Sequence, residues 1–473
     1  MQKMYQYKTP PFDHQRVALN KGALLTNFAY FMEMGTGKTK VVIDNAAYLY
    51  QQNEIKEVIV IAPNSVYRNW LAEISTHSPV DPYIWVWKVD KQRDLDKASR
   101  SNDLIYILVN VEAMSHRSGW KWLEERLRLN GSKILLTLDE STTVKNPGAI
   151  RTKHLCRLGR LAKYRRILTG SPVTNSPLDL YTQCGFLSKE LLGFDSYYTF
   201  RARYAVMQQI QMGGRQILMP KYYTNLDELE VKLKEFSFRV TKEECLDLPP
   251  KVYVQRQVAL DSEQQGVYND LRKKAKAVIE DETVSFANKL TEILRLHQVC
   301  NGFLKTDSGQ YYSFKKNPKL NELLRILDEV TGKSIIWSTY VYNIEEIKNK
   351  IQAVYGKDSV VSIYGKDSVE DRKRAVETFQ SNDRCRFLVG NPSVGGYGLT
   401  LTAARNVVYF SNSYNLEVRK QSEDRAHRIG QKHKVTYIDI QVPSSIDTMI
   451  ISALKRKIQL SAATLGEEAK KWL

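Results

Sequence analysis

The chain has 473 residues, with 70 Lys and Arg against 52 Asp and Glu, a formal net charge of +18, and 42% hydrophobic residues. That length exceeds one compact core, so two or three domains are expected. No run of about 18 apolar residues occurs, and the start MQKMYQYKTPPFDHQ lacks a secretory apolar stretch, so the expectation is a cytoplasmic protein without a membrane span. Cys156, Cys184, Cys245, Cys300 and Cys385 lie far apart with no C-x-x-C pair, which argues against zinc and a disulfide framework and for a reducing compartment. The basic balance favours a polyanionic partner, through phosphate contacts and counterion release.

In chain order, the first chemistry-bearing segment is EMGTGKT (33–39), between an apolar run and the helical VVIDNAAYLY. Gly35 and Gly37 let the backbone curl so that N–H groups face phosphate, Lys38 can reach the β- and γ-phosphates, and the Thr39 hydroxyl can hold Mg²⁺. The helix N-terminus adds a favourable dipole. The strict phosphate-loop pattern has Gly where this chain has Met32.

VIVIAP (58–63), YILVN (106–110), ILLTLDE (134–140) and RILTGS (166–171) read as buried strands with polar ends. Continuous apolar strands separated by helical patterns predict a parallel sheet covered on both faces, with ligands outside the strands' carboxyl ends. Asp139 and Glu140 stand at such an end, where one carboxylate can hold Mg²⁺ through water and its neighbour can polarise an attacking water. With the phosphate loop, this pair predicts hydrolysis of a nucleoside triphosphate.

Residues 185–315 read as helix-rich and charged. In AVMQQIQMGGRQILMPKYY, Gly213-Gly214 separates two strand-like runs, a hairpin signal. A surface hairpin packed on its lobe is expected there, ahead of a nucleic-acid wedge. SIIWST (334–339), VVSIYG (360–365), RFLVGN (386–391) and NVVYFS (406–411) then repeat the strand pattern and predict a second α/β lobe. In QSEDRAHRIGQ (421–431), the spacing of Gln421, Asp424, Arg425 and Arg428 predicts one face of a helix. Two fixed arginines can stabilise charge on a transferring γ-phosphate; a basic helix facing phosphate backbone or solvent is the alternative.

The order of these segments resembles the Swi/Snf family of superfamily-two helicase-like DNA translocases, from about Phe12 to Ile451. PFDHQRVAL is similar to the family's opening motif, whose Gln, here Gln15, contacts adenine. EMGTGKT resembles its phosphate loop, including Met34 and Thr36, and VIVIAPNSVYRNWLAEI (58–74) its next motif, with Asn69-Trp70. LDESTTVKNP (138–147) has Ser141-Thr142 where the family has Ala-His. RILTGSPVTNSPLDLYTQCGFL (166–187) resembles the third motif, where Thr169, Gly170 and Ser171 would link ATP state to DNA grip. FSFRVTKEECLDLPPK (236–251) is the most family-specific piece, and ILRLHQVCNGFL (293–304) resembles the helix after it. IIWSTY, SIYGKDS and GNPSVGGYGLTLTAA (390–404) resemble the fourth and fifth motifs, and QSEDRAHRIGQ the sixth; Tyr414-Asn415-Leu416 replaces the usual Trp-Asn-Pro before it.

The resemblance implies two RecA-like lobes, each a parallel sheet flanked by helices, with helical protrusions between them. The boundaries expected are 1–248, with a hairpin insertion near 207–223, and 249–473, with a protrusion at about 260–315. It implies an ATPase with MgATP bound by Gln15, Met34–Thr39, Gly398, Arg425 and Arg428, catalysis by Lys38, Asp139, Glu140, Arg425 and Arg428, and the metal at Thr39 and Asp139. DNA, duplex by preference, would cross Asn69, Trp70, Thr169, Ser338, Tyr340, Gly365, Gly395, Gly396 and Tyr414. The activity implied is translocation along DNA, in a compact phage or bacterial motor serving replication, recombination or fork remodelling. Three alternatives stay open: an unwinding or branch-migration helicase, an RNA helicase, and a non-catalytic DNA-binding scaffold.

Overall fold

The computed structural model describes residues 5–63, 67–87, 95, 103–212, 215–280, 286–306, 308–395 and 399–467. The chain divides into two compact units. The first comprises Met1–Ala205, Tyr223–Asp247 and Leu460–Glu468; the second comprises Val206–Tyr222, Leu248–Gln459 and Ala469–Leu473. Two segments thus fall on the other side of the expected division. The 206–222 hairpin groups with the second unit, and the 460–468 tail groups with the first.

The first unit contains β1 (Asn27–Met32), β2 (Glu57–Ala62), β3 (Tyr83–Val86), β4 (Ile105–Asn110), β5 (Ile134–Asp139) and β6 (Tyr164–Leu168). A two-stranded hairpin of β7 (Ala205–Met212) and β8 (Arg215–Tyr223) follows, its Gly213-Gly214 turn lying outside the described residues. Then comes β9 (Ser237–Val240), and the sheet runs β3-β4-β2-β5-β6-β1-β9, every neighbouring pair parallel. β2 and β5 are buried along their whole lengths, without the alternation of a half-exposed strand, because helices cover both faces. Phe28, Tyr30, Val58, Val60, Leu135 and Trp70 belong to its core. Burial of each such large side chain contributes about 1.5–3 kcal/mol.

Charge also lies inside this unit, most deeply at Arg166. The Arg166 guanidinium, 0% exposed, donates to Asn45 Oδ1 at 2.9 Å and to the carbonyls of Gly22, Thr26 and Arg165. Gly22 ends the first helix, Asp13–Gly22, Thr26 directly precedes β1 and Arg165 is in β6, so the cation ties the chain's entry to the sheet.

The second unit contains β10 (Lys251–Gln257), the antiparallel pair β11 (Phe303–Lys305) and β12 (Tyr311–Ser313), then β13 (Lys333–Trp337), β14 (Val360–Ile363), β15 (Phe387–Gly390), β16 (Ala404–Tyr409) and β17 (Val435–Gln441). Its main sheet runs β10-β17-β16-β13-β15-β14 and is also wholly parallel. The region expected as a helical protrusion holds the helices Ser262–Glu280 and Phe286–Cys300; Tyr268, Leu296 and Val299 there pack with Ile446, Ile450 and Leu454 of the last helix. Two helix starts show local encoding. Asn317 Oδ1 accepts from Leu320 N, with Pro318 at the first helical position, and Ser368 Oγ accepts from Asp371 N. Among the described residues, no helix is long and apolar enough to cross a membrane.

Candidate nucleotide site and the second-unit arginines

Strand order places three segments side by side in the first unit. β5, β6 and β1 are neighbours, in register through Asp139↔Leu168 and Tyr30↔Leu168. Their carboxyl ends release Asp139-Glu140, Thr169–Ser171 and the 33–39 loop at one edge of the sheet.

The loop starts directly after Met32, the last residue of β1 and 0% exposed. A core side chain therefore stands where the strict pattern has glycine. Gly35 and Gly37 both take left-handed backbone, φ 84° and 87°, which a side chain rarely adopts. A Cβ on Gly37 would also lie 2.2 Å from Gln15 Nε2. Gly37 caps the Lys38–Gln51 helix with no side-chain hydrogen bond, leaving first-turn N–H groups for an anion. Lys38 Nζ donates to the Glu33 carbonyl at 3.3 Å, and the partly exposed Thr39 follows it in the first turn. Thr36 is fully buried, and its carbonyl accepts from Gln15 Nε2 at 3.0 Å while Gln15 Oε1 accepts from Phe12 N. Gln15 thus props the loop from below, a role its assignment to adenine did not anticipate.

Asp139, 5% exposed, has both oxygens oriented. Oδ2 accepts from the Trp70 indole Nε1 at 2.8 Å, and Oδ1 from Glu140 N at 2.9 Å. Burial pushes its carboxyl above the usual range, opposed by the Trp70 hydrogen bond, the Lys38 charge and the Glu140 N–H. Glu140 takes φ 49° and ψ 60°, a left-handed conformation that strains a residue with a Cβ. A glycine-shaped cradle, a buried oriented carboxylate and a strained second carboxylate fit a magnesium–triphosphate. Thr39 and Asp139 are the residues suited to the metal.

Trp70 requires a correction. It is 0% exposed and is tied to Asp139, so its side chain orients a carboxylate and does not face DNA. Thr169 and Ser338 are corrected likewise. Thr169, 1% exposed, accepts from Ser171 N, and Ser338, 0% exposed, shares a hydrogen bond with Ser411. Tyr340 is partly buried, with its hydroxyl on His297 Nδ1 at 2.8 Å. Asn69, Gly365 and Tyr414 are exposed, and Gly395 ends the short helix Pro392–Gly395. Gly396 and Gly398 lie outside the described residues.

Arg239 is a residue that motif matching left without a role. Its Nη1 donates to the carbonyls of Phe31 at 2.9 Å and Gly170 at 3.0 Å, and its Nε pairs with Glu467 at 2.5 Å. Lys242 N donates to Glu33 Oε2 at 2.8 Å. A Cβ on Gly170 would come within 2.9 Å of Met34 N, so the third motif lies directly against the phosphate loop. The Arg-x-x-Lys spacing of 239–242 was the available signal; its partners, some 70 and 208 residues away, were not.

In the second unit the arginine segment is not the expected helix. The helix Leu416–Glu423 ends first, and Asp424–Gly430 forms turns, with Gly430 at φ 97°. Gln431 holds these turns, because its Nε2 donates to the carbonyls of Thr402, Ala404 and Ala426 at 3.0–3.1 Å. Arg425 and Arg428 both donate through Nη1 to the Leu399 carbonyl, at 3.2 and 3.4 Å. They converge through a turn where helical periodicity was expected. The Leu-Pro-Pro-Lys run meets the same segment. His427 Nε2 lies 2.8 Å from the Pro249 carbonyl, and Lys251 Nζ lies 3.2 Å from Glu423.

The chain matches the SNF2-related domain over residues 21–303 and the helicase conserved C-terminal domain over 315–430. It belongs to the SNF2-related family of helicase-like proteins. It is similar to an uncharacterized ATP-dependent helicase of Mycoplasma genitalium, 26% identical over 92% of this chain and 40% of that protein. It is similar also to a DNA annealing helicase and endonuclease of Homo sapiens, 26% identical over 93% of this chain and 39% of that protein. The chain therefore spans about two fifths of the length of these relatives. Among solved structures, the SWI2/SNF2 ATPase core of Sulfolobus solfataricus in complex with dsDNA aligns over 98% of this chain and 95% of its own, at 26% identity and a TM-score of 0.45.

Proposed function

We propose that this protein hydrolyses ATP and uses the energy to move along duplex DNA. The observation that carries the reading is the Trp70–Asp139–Glu140 arrangement at the end of β5, beside a phosphate loop with two left-handed glycines. In this reading Lys38 and the first-turn N–H groups hold the β- and γ-phosphates, Thr39 and Asp139 hold Mg²⁺, and Gln15 lies against the loop where adenine would be sensed. Bound Mg²⁺ supplies neutralisation of the phosphate charge. Glu140 positions and polarises the attacking water; its strained backbone aims the carboxylate off the strand end. Arg425 and Arg428 stabilise charge on the γ-phosphate, an assignment carried by the family's sixth motif.

Duplex DNA as the track is supported by family membership, by the +18 net charge and by the exposure of Asn69, Gly365 and Tyr414. Tyr414 is 40% exposed and its carbonyl accepts from Lys457 Nζ, so an aromatic face and a cation lie together. A role in phage or bacterial replication, recombination or fork remodelling is part of this proposal. The test is ATPase turnover titrated with single-stranded, duplex, forked and four-way-junction DNA, with RNA as control. Stimulation by duplex without strand displacement is expected. Stimulation by RNA and not by duplex sinks the choice of track, and displacement of a forked strand replaces translocation with unwinding.

A further inference from the structure

A second basic site lies in the first unit, apart from the phosphate loop and the Asp139 cluster. A cavity of about 470 Å³ is lined by the Ile150–Gly159 helix and the 180–197 segment, and it shares no residue with the nucleotide site. Four cations line it. Lys153, Arg157 and Arg160 recur at i, i+4 and i+7 on one stripe of helix, and Lys189 belongs to the adjoining 3-10 turn Lys189–Leu192. Like charges at this spacing repel unless an anion joins them. No Asp or Glu lines the cavity. Arg157 has Glu124 at 3.4 Å; among the described residues no ion pair joins Lys153, Arg160 or Lys189 to a carboxylate.

The interior has another character. Tyr181 and Tyr197 contribute rings whose centroids are 5.7 Å apart, and Cys156 and Leu192 supply apolar surface. Arg160 and Lys189 both act on the Cys156 thiol, which burial pushes up to about 12, so their charges reach the cavity's lining. Thr182, another residue of the lining, is 6% exposed, and among the described residues its hydroxyl has no hydrogen-bond partner. A Cβ built on Gly185 would meet nothing within 4 Å, so glycine leaves the space open.

We propose that this cavity binds a phosphorylated nucleoside, with phosphate on the Lys153–Arg160 stripe and Lys189, and the base against Tyr181 and Tyr197. The same chemistry comes from a free nucleotide or from the 5′ end of a DNA strand. The size, within the usual 300–1,000 Å³ of small-ligand pockets, and the paired tyrosine rings beside the cations favour this over an extended acidic peptide. The stripe of cations covers about 10 Å of helix, matching a ligand with separated base and phosphate.

The test uses the full chain with its first site saturated by Mg·ADP, titrated with thymidine 5′-monophosphate in a calorimeter. One further molecule per chain is expected to bind. Lys153→Ala/Arg160→Ala and, separately, Gly185→Leu should each weaken binding at least tenfold while the melting temperature and ATPase turnover stay at wild type. Thymidine alone should bind at least tenfold more weakly than its phosphate. Displacement by a 5′-phosphorylated oligothymidylate, and not by its unphosphorylated form, assigns the site to a strand end; equal failure of both assigns it to free nucleotide. Unchanged affinity in the Lys153→Ala/Arg160→Ala protein overturns the proposal, as does binding of a polyglutamate peptide in place of the nucleotide. The charge variant decides the question even if Gly185→Leu fails to fold, because both its positions are exposed.

Discussion

The phosphate-loop edge of the first unit and the arginine segment of the second treat charge in opposite ways. At the first, Asp139 is buried but its hydrogen bonds come from an indole and a backbone N–H, and among the described residues no cation pairs with it. At the second, the neighbouring Arg419, 3% exposed, is locked to Asp439 by two hydrogen bonds, to Glu423 at 2.8 Å and to Asn412, and its guanidinium lies 3.4 Å from the centre of the Tyr409 ring. One region keeps a carboxylate oriented but able to take a metal. The other neutralises its buried cation completely and uses it as framework for the arginines that follow. Substitutions should therefore damage turnover at the first and folding at the second.

Glu140→Gln gives the largest expected effect. Loss of the water-polarising carboxylate should lower DNA-stimulated ATPase by about 10²–10⁴-fold with an unchanged thermal melt. Retention of full turnover would remove the motor reading. Arg419→Ala should do the reverse, lowering stability by about 3–5 kcal/mol because Asp439 loses its buried cation while Glu423 keeps Lys251, read by urea unfolding. If that variant keeps wild-type stability and loses only turnover, the contrast between the regions fails.

Trp70→Phe keeps the ring's bulk and removes only the donor to Asp139. Magnesium dependence of turnover should shift about 10–100-fold toward higher concentration, as for other residues that orient a metal ligand. A loss of DNA affinity with unchanged magnesium dependence would restore the DNA-contact assignment.

The fourth expectation concerns pH. Burial pushes His297 down to about 4, while an unfolded histidine titrates near 6.5. Between these values the unfolded chain binds more protons, so stability is fully present above about pH 6.5 and is lost as pH falls toward 4. The loss should reach about 2 kcal/mol by pH 5. His297→Gln should flatten that slope in urea melts at pH 5 and pH 7.

The sheets were legible because their strands are unbroken apolar runs, and the shared edge of the 33–39 loop and Asp139-Glu140 was legible because both follow strand ends. Trp70 was misread because its partner lies 69 residues away, and nothing local separates an indole that meets DNA from one that meets Asp139. The arginine segment was misread for a related reason. Its i, i+3 and i+4 spacing is helical on paper, but Gln431 ties Ala426 to Thr402 and Ala404, and that distant network decides the backbone. Arg239 shows the same limit, since its acceptors, Phe31 and Gly170, meet only once the sheet has assembled.

The left-handed backbone at Glu140 implies a conflict between durability and activity at one residue. A non-glycine residue there carries about 1–2 kcal/mol of strain, which a glycine would release at the expense of a more disordered unfolded chain, about 0.5–1 kcal/mol. Glu140→Gly should therefore leave the protein as heat-resistant as before, or slightly more so, while silencing it. A laboratory screen for thermal endurance alone would accept the loss of the carboxylate, and a screen for the proposed turnover would reject it.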